Sequence, residues 1–379
     1  MGYASTEDSL TYDDYILEKG INVISLEEES IYREILYSLK NLESSIDLSQ
    51  YGSFNDGREM AKIYFKVVDD HPEFFFLGNS VSWSGNSQEI KLYFDYLYST
   101  EETELRIKNF EIKVNQIIDD LIKPSMSQLE MELAFHDYIL LNTAYQLGTI
   151  TNESYTAYGV LMEGQGVCQG YAKAMQLLLN VVGIEAIYVS SAEMNHGWNI
   201  VMIDGERYHL DVTWDDPVPD VSGRLRYQYF NLSDEEMAKD HVWDTVAYPN
   251  CSNNQFNYLK ILNNYDVKRY KKYFYYSTGY LVKKKIDGSE TFISNQRISD
   301  LSLTGDILSY KDLSTANIIE MNLKLDLNED SWINDADIDF LVLYYNELNV
   351  EYDLNEDGII DLFDFVLIAG STYDEGNAS

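Results

Sequence analysis

Residues 326–337 and 353–364 repeat one another, and this duplication constrains the chain more than any other feature. The first copy runs Asp326-Leu-Asn328-Glu-Asp330-Ser-Trp332-Ile-Asn334-Asp335-Ala336-Asp337. The second runs Asp353-Leu-Asn355-Glu-Asp357-Gly-Ile359-Ile-Asp361-Leu362-Phe363-Asp364. In each, oxygen-bearing side chains fall at loop positions 1, 3, 5, 9 and 12, the spacing with which a loop wraps a hard cation. The backbone carbonyls of Trp332 and Ile359, at position 7, bring the set close to what Ca²⁺ requires. A single acidic loop of this kind would be unremarked solvation of a helix end; two in register predict metal binding. Each loop is expected to run into a helix with an apolar face, Ile338, Leu341 and Leu343 in one and Phe365, Val366 and Ile368 in the other.

The loops end in Asp where the common EF-hand ends in Glu, and Ser331 stands where that motif has Gly. The duplicated pattern resembles type I dockerins over residues 322–379. The resemblance implies an all-α module ordered by two Ca²⁺ ions, with a cohesin domain of a scaffoldin as partner. It implies cohesin recognition by the residues at positions 10 and 11: Asp335 and Ala336 in one repeat, Leu362 and Phe363 in the other. Those pairs differ, which argues against a symmetric dual binding mode. A dockerin acts outside the cell, so an extracellular, cellulosome-associated protein is expected. The N-terminal residues lack the basic and apolar regions of a signal peptide, so the export signal is expected to be missing from this chain.

Charge narrows the remaining options. The 64 acidic and 27 basic residues among 379 give a formal net charge of −37, which disfavours nucleic acid and anionic membrane as partners. With 45% hydrophobic residues the chain is not disordered, and no apolar run is long enough to span a membrane. Residues 322–379 hold 15 acids against the single base Lys324. Two cysteines exclude a disulfide scaffold.

Periodicity divides the rest. The first twenty or so residues are polar and expected to be loose. Apolar residues at helical spacing predict helices over 24–46, 58–68, 101–122 and 127–146. Another is predicted from Cys168 to Val182, with Gly183 as its C-cap. The period then shortens. Ala186–Val189 reads as a strand, and 197–203 and 206–214 read as a hairpin around Asp204-Gly205. A helical fragment is expected within 228–245, and alternation over 270–310 predicts a small antiparallel β unit. The expected fold class is α+β. Its parts are a mainly helical extension over 1–124, a core over 125–258, a β-rich segment over 259–318 and the calcium-binding module over 322–379.

Chemistry concentrates in the core. Cys168 follows a glycine-containing loop and begins a predicted helix, where amide N–H groups and the dipole favour a thiolate. The dipole contributes at most ~2 kcal/mol, so an imidazole partner must do most of any activation. If Asp204-Gly205 is a two-residue turn, Ile203 faces Glu206 and His196 falls opposite Thr213. Asp211 then lies diagonal to His196 on one face, within reach of its ring. Asp211 would orient His196, and His196 would act on Cys168. The same register keeps His209 on the His196 face.

Three motifs carry a second resemblance: Gly166-Val-Cys168-Gln-Gly170-Tyr171-Ala172, Asn195-His196-Gly-Trp198-Asn199, and Tyr208-His-Leu-Asp211-Val-Thr-Trp214-Asp215. In order and spacing they resemble bacterial transglutaminase-like proteins, over roughly residues 125–245. The resemblance implies a papain-like core with Cys168 as nucleophile, His196 as general base and acid, and Asp211 as orienter. It implies acyl transfer from an amide through a thioester, with no catalytic cofactor; peptidase, deamidase and transferase outcomes stay open. The oxyanion is expected at the Cys168 N–H, with a second donor among Gln165, Gln169, Tyr158 and Trp198. Trp198 and Trp214 are expected either to wall the acyl site or to fill the core. His71, His136, His209 and His241 are expected to be structural or surface residues, and Cys251 a free thiol. A catalytically inactive binding module and a glycan-acting enzyme are the alternatives. The intact Cys168, His196 and Asp211 argue against the first, and nothing beyond the dockerin pattern supports the second.

Overall fold

The computed structural model describes residues 8–12, 25–51, 57–86, 89–348 and 351–371. It divides into two compact units, Met1–Lys260 and Ile261–Ser379.

The N-terminal part of the first unit carries, besides its helices, a sheet that the periodicity did not predict. Strands β1 (Asp8–Thr11), β2 (Ser45–Asp47), β3 (Leu77–Asn86) and β4 (Glu89–Tyr96) form an antiparallel sheet in the order β1-β3-β4-β2. The cause is visible in β4, where Ile90, Leu92 and Phe94 are buried and Glu89 and Lys91 are exposed, the period of a half-buried strand. Part of the N-terminal stretch expected to be loose is thus strand β1; the rest of it lies outside the described residues. Helices α1 (Leu26–Lys40) and α2 (Gly57–Asp70) pack together, and α2 covers the sheet. Two more helices follow, α3 (Thr100–Leu121) and α4 (Gln128–Asn142). Ser25–Glu28 and Ser127–Glu130 form reciprocal capping boxes that start α1 and α4.

Two short parallel strands, β5 (Ala144–Tyr145) and β6 (Gln165–Gly166), lead to helix α5 (Cys168–Val181). Helix α5 packs on the antiparallel sheet β7 (Ala186–Ser191), β8 (His196–Ile203) and β9 (Glu206–Leu210). Gly170 is required there, because a Cβ would meet the Ser154 carbonyl oxygen at 2.6 Å. The hairpin pairs Ile203 with Glu206 and Asn199 with Leu210, the expected register. Beyond β9 come two four-residue helices, α6 (Val212–Asp215) and α7 (Asp234–Met237). The helical fragment expected over 228–245 shrinks to α7 because its first part joins the sheet. His209 and Leu232 exchange backbone hydrogen bonds at 2.8 Å, and the Asp211 N–H donates to the Tyr229 carbonyl.

The second unit holds two antiparallel sheets. One is β10 (Lys268–Tyr270), β11 (Tyr273–Ser277), β12 (Leu281–Lys285) and β13 (Glu290–Phe292). The other is β14 (Ile298–Thr304), β15 (Ile307–Asp312) and β16 (Ile318–Asn322). The acidic repeats follow, with helices α8 (Asp335–Val342) and α9 (Leu362–Ala369). Strands and repeats close over one apolar cluster that joins Leu281, Leu308 and Met321 to Ile333, Ile360 and Ile368. The unit as a whole is mixed α/β; after β16 the described residues of the stretch expected to be all-α hold helices and no strand, and they share this cluster with the strands. The helices are too short to enclose a core alone: α8 fully buries only Leu341 among its apolar residues, and α9 only Ile368. Ile338 and Phe365 pack partly against the cluster, while Leu343 and Val366 face outward.

Candidate functional site: a cysteine, two histidines and a buried carboxylate

Val167, in extended conformation, caps α5 and makes Cys168 its first helical residue. The Cys168 N–H therefore has no intrahelical carbonyl to donate to, and its side chain is half-buried at the floor of a cleft of about 590 Å³. His196 opens β8 and reaches the same cleft. Its Nε2 lies 2.7 Å from Asp211 Oδ2, and its ring also hydrogen-bonds Cys168, which leaves Nδ1 for the sulfur. Burial opposes a charge on this imidazole. Hydrogen bonds to Asp211 and Cys168 outweigh it and push His196 up to about 10.

Asp211 ends the hairpin and caps α6, accepting from the Trp214 N–H at 3.1 Å. It is fully buried, which raises the cost of its charge, yet hydrogen bonds from His196 and His241 hold its carboxyl below the usual range. His241, expected to be structural or superficial, thus joins the site: its Nε2 lies 3.1 Å from Asp211 Oδ2 and its Nδ1 2.7 Å from Asp240 Oδ1. Only tertiary folding brings it there, 30 residues downstream of Asp211. Tyr145 is the other addition. The β5–β6 pairing sets it beside Gly166. Burial, then the nearby Cys168, raise its phenol, and its side chain lines the same cleft as Cys168.

The residues expected around the oxyanion scatter. Gln169 lines the cleft. Gln165 is exposed in β6. Tyr158 lies behind the cleft wall, stacked on Phe75 at 4.6 Å between centroids. Trp198 is 1% exposed, and its indole N–H donates to His209 Nδ1 at 2.9 Å, so it offers no donor to an oxyanion. Trp214 packs against the rings of His241 and His196. Its place is beside the imidazole pair.

Cys251 is an unpaired thiol, fully buried beside Val189 and Ile200. Burial pushes it up to about 12. It meets His209 and Asp234 closely enough for a shared cation, but His209 already bonds at both nitrogens. Nδ1 accepts from Trp198, so Nε2 carries the proton it directs at Asp234 Oδ1, 2.8 Å away. Burial favours this neutral ring. A metal at Nε2 would have to displace that proton.

The acidic loops of the second unit share one hydrogen-bond pattern. In the first, the N–H groups of Leu327 and Asn328 donate to Asp337 Oδ1, and that of Ser331 to Asp326. In the second, Leu354 and Asn355 donate to Asp364 Oδ1, and Gly358 to Asp353. Asn328 and Asn355 accept from the Asp330 and Asp357 N–H groups, and those aspartates from the Trp332 and Ile359 N–H groups. Asn334 and Asp361 cap the helices in boxes with Asp337 and Asp364. The loops differ at position 6, where Ser331 holds φ +80° and Gly358 +97°. Lys283 also grips only the first loop, through Asp326 Oδ2 at 3.2 Å and the Glu329 carbonyl at 3.0 Å. Leu362 and Phe363 are exposed, as are Asp335 and Ala336.

A cysteine helix packed on an antiparallel sheet that carries histidine and aspartate defines the class of this domain. Residues 115–216 match the family model of the transglutaminase-like superfamily, and they form a transglutaminase-like domain. Kyphoscoliosis peptidase of Mus musculus is 24% identical over 27% of this chain and 18% of that protein. Among solved structures, one described as a candidate cysteine protease from Cytophaga hutchinsonii is 21% identical, with a TM-score of 0.24 over 30% of this chain and 40% of that one. Another, described as a TGase, is 15% identical, with a TM-score of 0.22 over 36% of this chain and 45% of that one. The chain spans less than half the length of each.

Proposed function

We propose that the first unit is a cysteine enzyme acting on protein or peptide amides. Cys168 attacks the carbonyl and His196 takes the thiol proton, later giving it to the leaving amine. Asp211 holds the imidazole in position. The tetrahedral oxyanion is met by the Cys168 N–H and the Tyr145 hydroxyl, and its collapse leaves a thioester that water or a second amine resolves. The observation that carries this reading is the contact between Cys168, at a helix start, and an imidazole whose other nitrogen is bound by a buried carboxylate. A peptidase outcome is favoured, and it accords with the name of the mouse relative.

Residues 322–379 are read as the calcium-dependent anchor of a secreted enzyme, docking on a cohesin domain of a scaffoldin. Asp326, Asn328, Asp330, Asn334 and Asp337, with the Trp332 carbonyl, would hold one Ca²⁺. Asp353, Asn355, Asp357, Asp361 and Asp364, with the Ile359 carbonyl, would hold the other. The donor set fits a hard cation: it is all oxygen, and both loops carry the same hydrogen-bond pattern. Bound calcium supplies a charge centre that orders the acidic loops.

Iodoacetamide labelling with a Cys168→Ala control tests the enzyme reading. Cys168 is expected to react far faster than Cys251; equal rates would remove the nucleophile. A peptide panel read by mass spectrometry then separates released fragments, lost amides and incorporated amines.

A further inference from the structure

The cleft over Cys168 differs in character from the molecule around it. The chain holds 64 acidic residues, yet among the described residues no Asp or Glu lines the cleft. Its basic side chains are engaged. Lys173 Nζ donates to the Val68 and Asp69 carbonyls at 3.0 and 2.9 Å and to Asp69 Oδ1 at 3.2 Å. His71 Nδ1 lies 2.9 Å from Glu73 Oε1. A substrate side chain of either charge would give up water there without gaining an uncommitted counter-charge. Phe65, Phe74 and Phe75 from one stretch of chain and Tyr145, Ile150 and Tyr155 from another give the cleft its apolar and aromatic surface, among uncharged polar groups such as Asn79, Ser190 and Asn195.

The first of these stretches walls the cleft with residues 65–79, outside the part of the chain that matches the transglutaminase-like family. It is bolted to the nucleophile's own helix. Lys173 and Gln176, both on α5, hold the end of α2 through the Asp69 carbonyl, and the Tyr12 hydroxyl donates to Asp69 Oδ1 at 2.6 Å. Phe75 is braced from behind by Tyr158 and Phe110. Wall and sulfur therefore keep a constant separation, which is what a side-chain selector needs.

We infer that this cleft takes an uncharged stretch of polypeptide with a bulky apolar or aromatic side chain beside the amide that Cys168 attacks, and that residues 65–79 select it. The inference rests on the nucleophile reading above. Gln169 and Asn152 supply neutral amide groups along the same cleft, suited to the backbone of such a substrate.

The test uses the full chain and four peptidyl chloromethyl ketones that differ only in the side chain beside the ketone: phenylalanine, leucine, aspartate or lysine. The sulfur displaces chloride, and intact mass follows labelling of Cys168. Iodoacetamide, which carries no side chain, is run in parallel. The phenylalanine and leucine reagents are expected to label about tenfold faster than the charged ones. Ile150 is 48% exposed, so Ile150→Glu alters the wall at its rim; it is expected to raise the lysine reagent's rate relative to the aspartate reagent's. Four equal rates, or a preference for either charged reagent, overturn the inference; selective iodoacetamide labelling of Cys168 would still leave the nucleophile reading standing. Loss of that selectivity removes the nucleophile reading, and the cleft inference falls with it.

Discussion

Asp211 accepts from two imidazoles and a backbone N–H without solvent contact, and this sets the protonation of His196. Burial alone would drive His196 below its ordinary 6.5; the Asp211 hydrogen bond is the largest opposing influence, and the ring ends up at about 10. A raised histidine stabilises the fold fully below pH 6.5, and that contribution is lost as pH rises through about 10. Asp211 runs the other way: lowered, it contributes above the ordinary carboxylate range and fails as pH falls through its own value. In Asp211→Asn the charge is gone and burial prevails. An NMR titration of His196 in that variant should show its midpoint well below 10, and an unchanged midpoint would contradict the arrangement. Tyr145→Phe tests the second oxyanion donor. It should lower kcat about 10²-fold with little change in KM, as loss of one such donor does elsewhere. A change in KM alone would make Tyr145 a binding residue instead. His241→Ala should slow turnover about tenfold by loosening Asp211, with His241→Gln recovering part of the loss through its amide donor.

The elements that place these groups were unequally legible in the sequence. The cysteine helix and the β8–β9 hairpin were readable because their signals are local: a glycine-containing loop before an apolar helix, and a two-residue turn that sets the register. The His196–Asp211 contact follows from the hairpin, whereas the packing of the cysteine helix on that face is tertiary and was not readable. His241 and Tyr145 were not readable as site residues, since they arrive through a bridge to β9 and a two-residue parallel pairing. The N-terminal sheet was missed although β4 alternates cleanly, because its neighbours are strongly helical. That sheet's helix α2 matters to the site through Lys173. This ammonium group is 5% exposed and holds the two carbonyls and the carboxylate that end α2. Lys173→Ala leaves Asp69 buried without its cation, a loss worth about 3–5 kcal/mol. The first transition in urea unfolding of the full chain should move accordingly. Cys168 labelling by the phenylalanine reagent should slow more than labelling by iodoacetamide, because the wall loosens while the nucleophile remains.

At the scale of the whole molecule the net charge of −37 is unevenly used. Among the described residues the site unit keeps acid out of its cleft, whereas the sequence of residues 322–379, which includes the two short helices, holds 15 acids. Such a segment repels itself, and its helices bury too little to hold it closed. On the calcium reading, two ions offset four of those charges, and binding to the folded form alone adds about 2.7 kcal/mol per site when free Ca²⁺ exceeds Kd 100-fold. The consequence reaches past the loops. Ile333 and Ile360, within the repeats, belong to the apolar cluster that also holds Leu308 and Met321 of the strands. Removing calcium should therefore loosen strands and repeats together. Hydrogen exchange in excess EDTA should show amide protection falling over β14–β16 as well as α8 and α9, with cohesin binding lost at the same chelator concentration. Protection confined to its original level in the strands while the repeats open would mean that the shared cluster does not couple them. Full protection everywhere, with docking retained in EDTA, would mean that the loops close without a cation.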